Sequence, residues 1–134
     1  MQTAESDRTS GMMGLMNADA KALLARGVGL FNDGEYFACH EVWEELWKRS
    51  EGEERAALQG LIQVAVAILH AERGNYRGAQ SVYRKAMRNL ELASEDCMGL
   101  RLGQFRWTLK QIIAEVLSPL DEPRVQRKVR LDFV

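Results

Sequence analysis

Proline is nearly absent: Pro119 and Pro123 are the only two in 134 residues, and both lie near the end. Nothing from about Asp19 to Leu117 therefore interrupts a helix by losing an amide donor or clashing with the preceding turn. Cysteine is equally sparse. Cys39 and Cys97 give neither a disulfide framework nor the paired spacing of a metal finger, so a reducing cytoplasm is the default expectation. No apolar run approaches the roughly 18 residues needed to cross a membrane; the longest, Val64 to Leu69, sits inside a longer helical pattern. Net charge is also lacking, at -1, and no global field draws in nucleic acid or an anionic membrane. The first 17 residues carry no apolar segment of the secretory kind and read as a flexible tail.

What is present is enough apolar side chain for one core: 46% hydrophobic and 28% charged residues are ordinary globular values. The periodicity is helical throughout, and no useful strand-like alternation occurs. Five helices are expected, over about Ala18–Phe31, Glu35–Arg49, Glu53–Arg73, Tyr76–Ser94 and Leu100–Leu117. Asn17 and Asn75 are suited to cap the first and fourth, and Ser50-Glu51-Gly52-Glu53 has the pattern of a capping box for the third. Asn32-Asp33-Gly34 and Gly74 are natural stops. Short connections favour antiparallel neighbours. The expected fold is an all-α, compact up-and-down bundle at 18–118, followed by a C-terminal tail at 119–134 that is either a short helix or an extended strap.

Chemistry concentrates on the second and third helices. On a wheel at about 100° per residue, His40 falls inside the apolar arc of the second helix, between Trp47 and Phe37. Glu44 lies close beside it and Glu41 just outside. Trp43 and Trp47, at i,i+4, read as packing. The third helix is apolar nearly all round, which marks a central helix, yet Gln59, Gln63 and His70 share one stripe. Buried polar groups need partners. A polar seam between these helices is therefore expected from His40, Glu44, Gln63 and His70, with Glu41 and Gln59 at its edges.

Three readings of the seam stay open. It can be a hydrogen-bond network that fixes helix packing. It can be a divalent-metal site, since His40 and Glu44 point the same way and His70 adds a second imidazole, a set suited to zinc, iron or manganese. It can do metal-free acid–base chemistry through His40 or Glu44. The basic residues Arg84, Lys85 and Arg88, with Arg124, Arg127, Lys128 and Arg130 in the tail, read as solvated faces. A protein partner or a homo-oligomer is a better expectation than nucleic acid.

Phe31-Asn32-Asp33-Gly34-Glu35-Tyr36-Phe37 and His40-Glu41-Val42-Trp43-Glu44-Glu45-Leu46-Trp47 resemble the signature of the domain-of-unknown-function family numbered 309. So do Gln59-Gly60-Leu61-Ile62-Gln63 with Ala65, then His70, Gly74-Asn75 and Gly78-Ala79. The resemblance implies a compact all-helical fold and no established activity. Its motif falls on His40, Glu41, Glu44, Gln63 and His70. Members often carry an acidic residue two places before the motif histidine; here that place is Ala38.

Overall fold

A computed structural model describes residues 16–116 and 129–134, with the side chains of 113–116 excepted. Among the described residues, five α-helices follow one another: α1 (Ala18–Asn32), α2 (Tyr36–Trp47), α3 (Gly52–Glu72), α4 (Tyr76–Leu90) and α5 (Leu102–Val116). A 3-10 turn, Cys97–Gly99, precedes α5. The helical bundle expected from the periodicity is what forms. Residues 1–15 and 117–128 lie outside the described residues, and with them the expected flexible N-terminal tail and most of the C-terminal one.

The local stops work as their chemistry dictates. The Asn17 side chain accepts from the Ala20 amide at 2.7 Å, and that of Asn75 accepts from Gly78 at 3.0 Å, satisfying helix donors that have no partner within the helix. Gly74 ends α3 at φ +80, a left-handed conformation that costs glycine nothing.

The capping box at Ser50 does not form. Ser50 Oγ donates to the Trp47 carbonyl at 2.9 Å, and the N-cap position of α3 is Glu51, with the helix beginning at Gly52. The Glu53 carboxylate instead accepts from the distant Ser94 amide at 2.7 Å. The fourth helix also ends earlier than its pattern suggests, at Leu90 rather than Ser94. The Arg106 guanidinium takes the Leu90 carbonyl at 3.1 Å, and the chain turns tightly through Leu92 and Ala93.

α3 is the central helix. It packs against both α2 and α4, which make no broad contact with each other. Gly60 lets α3 and α4 approach closely: a Cβ there would sit 2.7 Å from Leu90 Cγ. On the other side of the core, Phe31 stacks on Trp43 (centroids 5.8 Å) and meets Tyr36 and Phe105 edge-on at 5.4 and 5.8 Å. Such aromatic pairs add to the burial energy of their area.

Residues 129–134 run as an extended strap, one of the two conformations open from the sequence. Leu131 is fully buried. Asn32 holds it by both backbone groups: the amide nitrogen donates to Leu131 O at 2.8 Å, and the side-chain oxygen accepts from Leu131 N at 3.0 Å. Phe133 forms an isolated antiparallel bridge with Leu100, flanked by Arg101 N to Asp132 O and Val134 N to Gly99 O. The strap carries no helical period because it makes no helix.

Candidate functional site

α2 presents its motif residues on two sides. Tyr36, Cys39, Trp43 and Leu46 are buried toward the core. Glu41, Glu44 and Glu45 are exposed, and Phe37 is 57% exposed. His40 lies on the shoulder between these sides. Its Nε2 is 3.5 Å from Glu44 Oε2, an i,i+4 contact that becomes an ion pair when the ring is protonated. Its Nδ1 is buried and has no hydrogen-bond partner. The Phe37 ring lies 5.8 Å from the imidazole. Trp47 is half-buried beneath Arg55 of α3, whose guanidinium carbon is 3.8 Å from the ring centroid, a cation–π contact. Trp43 is fully buried and turns its indole N–H toward Leu24 O at a long 3.5 Å. Both tryptophans are packing, as their spacing suggests.

The polar stripe of α3 exists but points elsewhere. Gln59, Gln63, Val66 and His70, at i, i+4, i+7 and i+11, are half-buried, whereas nearly every other position from Ala57 to Ala71 is buried. They form the outer side of α3. Gln63 Oε1 accepts from Asn89 Nδ2 of α4 at 2.7 Å. His70 Nδ1 lies 3.2 Å from Asn75 Nδ2. Because Asn75 uses its oxygen as the cap of α4, its NH2 faces the ring, so Nδ1 accepts and the neutral ring carries its proton on Nε2. Among the described residues, no hydrogen bond joins His40 or Glu44 to Gln63 or His70.

The expected seam is therefore split. Its α2 half is the His40–Glu44 pair with Phe37 and Glu41 beside it, and its α3 half is tied to α4 and to the α3–α4 turn. Periodicity identifies the members of a stripe but not the neighbour that the stripe faces. Among the described residues, no group of three or more His, Cys, Asp or Glu side chains is placed to hold a metal ion. Among the described residues, His40, Glu44 and His70 do not come together as such a group.

Several polar residues escaped the sequence reading. Asn89 was hidden on a helix whose other half-buried positions are mostly small or apolar. Glu54 is half-buried, with Oε2 unpartnered, and burial, then Glu53, pushes its carboxyl above the usual range. Cys97 is buried, and its thiol is pushed up to about 12 by burial and by Glu53, Glu54 and Asp96. Burial likewise raises Cys39. Neither thiol is a nucleophile at neutral pH. Among the described residues, no helix is long and apolar enough to cross a membrane.

Residues 24–82 match the sequence profile of a family described as Domain of unknown function (DUF309). The match covers less than half of the chain, and this stretch is similar to DUF309. That span contains all of α2 and α3, and with them His40, Glu41, Glu44, Gln63, His70 and Asn75. Two relatives resemble a larger share of the chain. An uncharacterised protein of Aquifex aeolicus (strain VF5) is 27% identical over 92 residues, covering 68% of this chain and 28% of the relative. The uncharacterised protein YpuF of Bacillus subtilis (strain 168) is 28% identical over 111 residues, covering 73% of this chain and 63% of YpuF. The chain thus spans under a third of one relative's length and under two thirds of the other's.

Proposed function

We propose that this chain is a non-enzymatic interaction module, in which the internal polar groups of the DUF309-like stretch are structural and the outer face of α2 is the contact surface. One observation carries the reading: Gln63 and His70, the two α3 groups that a reactive centre would need, are already engaged by Asn89 and Asn75. What remains on α2 is a half-buried histidine, three exposed carboxylates and an exposed aromatic ring. Aromatic side chains are enriched at protein interfaces and charged ones at their rims. The reading assumes a reducing cytoplasm, consistent with two buried, unpaired thiols.

A photocrosslinking residue at Phe37 tests it. A discrete protein adduct is expected in cells, and none from a probe at Lys110, which is exposed on α5. No adduct at Phe37 refutes the reading. In parallel, His40→Ala and His70→Ala should alter stability alone.

A second reading keeps one observation in its favour. The unpartnered Nδ1 of His40, beside the Glu44 carboxylate, leaves a donor set that a small ligand or a divalent cation such as zinc, manganese or iron could complete from outside the chain. Near-stoichiometric metal in protein purified without chelator, lost in His40→Ala, would establish it.

A further inference from the structure

The strap at 129–134 is seated the way a bound peptide is seated. Its side chains alternate as in a strand: Val129 and Leu131 are buried, while Arg130 and Asp132 bond to each other at 2.8 Å. What holds it is its main chain. Asn32 takes both backbone groups of Leu131. Arg101 donates from its amide to Asp132 O at 2.9 Å and from Nε to Phe133 O at 3.3 Å, and the Val134 amide donates to Gly99 O at 2.8 Å. Main-chain bonds of this kind give affinity to an added strand, and pockets for alternate side chains give specificity.

The receiving slot lies between the end of α1 and the Gly99–Arg101 segment. Met98 stands at φ +59 and Gly99 at φ +72. A left-handed conformation is disfavoured for methionine, and this strained turn leads directly into the Gly99 carbonyl and Arg101 amide that meet the strap. Twelve residues, 117–128, separate α5 from the strap. At about 3.3 Å per residue, a connection of that length has a reach of up to roughly 40 Å. The slot reads a backbone and two apolar side chains, and these are the same in every copy of the chain.

We propose that this slot is a peptide-recognition site whose partner is the strap of a second copy of this chain, so that two copies join by exchanging straps. Every contact within the slot is unchanged by the exchange. What differs is the tether, which holds a chain's own strap at an effective concentration on the order of 1 mM. Exchange therefore takes place among crowded copies, or wherever a chain's own strap is weakened. When both straps cross, the pair is isologous and closed. The contact is separate from the outer face of α2, so its failure would leave the interaction reading above in place.

Two variants of the full chain test it by complementation. Leu131→Ala spoils the strap and leaves the slot; Asn32→Ala spoils the slot and leaves the strap. In sedimentation velocity each variant alone should stay largely monomeric. An equimolar mixture should form a heterodimer, with a dissociation constant at least about tenfold below that of either variant with itself. A free peptide with the sequence of Val129 to Val134 should displace it. Val129→Ala, a smaller deletion on the same side of the strap, should pair with Asn32→Ala as Leu131→Ala does, and circular dichroism checks that the helices of all three variants are intact. No heterodimer at concentrations up to about 1 mM, the order of the tether's own contribution, overturns the inference. So does a mixture that pairs no better than either variant alone, and so does a heterodimer that the peptide leaves intact.

Discussion

Two glycines on α1, two residues apart, should respond in opposite directions to the same substitution. Gly27 is buried against Trp43, and a Cβ built there would overlap the indole, lying 2.7 Å from Cε2 and nearer still to Nε1 and Cδ1. Gly29 is exposed, with nothing within 4 Å of its Cβ position. Alanine in a helix interior is favoured over glycine by about 1 kcal/mol. Gly29→Ala should gain roughly 0.5–1 kcal/mol. Gly27→Ala gains the same helix preference but over-packs the core, a cost of about 1–3 kcal/mol and occasionally more. The upper end applies, because Trp43 is 0% exposed, stacked on Phe31 and unable to retreat. A net loss of about 2 kcal/mol corresponds to a fall of roughly 6–10 °C in melting temperature for a domain of this size. Thermal unfolding by circular dichroism, with urea titration as a second measure, reads both variants. If Gly27→Ala melts at or above the wild type, α1 and α2 are not packed through this glycine. The contact matters beyond stability, because α2 displays Phe37, His40 and Glu44, and displacing Trp43 displaces them as well.

Three further outcomes are expected. Glu54 has its carboxyl pKa raised by burial and by Glu53, so its ionisation opposes folding: the folded state is favoured below the ordinary carboxylate pKa and loses that advantage as pH rises through the raised value. Glu54→Gln should therefore melt higher than the wild type at neutral pH, with the difference closing near pH 4, about the ordinary carboxylate value; a pH-independent difference would contradict this. Asn32→Ala removes both partners of the Leu131 backbone and should cost about 1–3 kcal/mol, with faster amide exchange at 129–134 than in α3. Asn75→Ala loses the cap of α4 and the His70 contact together, for about 1 kcal/mol or more. Asn75→Asp keeps the cap oxygen and should recover most of that loss in urea unfolding.

Sequence periodicity carried the helices because each buries a stripe at the helical repeat and because proline leaves their interiors alone. It also picked out the correct members of the α3 stripe. It could not give the rotation of that stripe about α3, which is set by contacts such as Gly60 against Leu90 and Arg55 over Trp47, between residues that no local rule connects. α3 has a neighbour in sequence on each side, and the stripe expected to face α2 instead engages α4 through Gln63 and Asn89. The Ser50 box failed for a related reason: Glu53, which should have reached back to it, is drawn to Ser94, and a local motif loses to a tertiary partner. The strap at 129–134 had no signal at all, since an extended segment held by one asparagine has no repeat to read.

That asparagine also bears on the order of folding. Asn32 and Leu131 are 99 residues apart in sequence, while α1 to α4 are joined by connections of only a few residues. Local contacts form fast, and long loops pay their closure entropy before any contact rewards it. The antiparallel helices should therefore assemble first and the strap should dock last, onto a body already formed. Refolding followed by Trp43 burial should then precede protection of the Leu131 amide, giving the chain a brief state in which the helices are in place and the cleft beside Asn32 stands open.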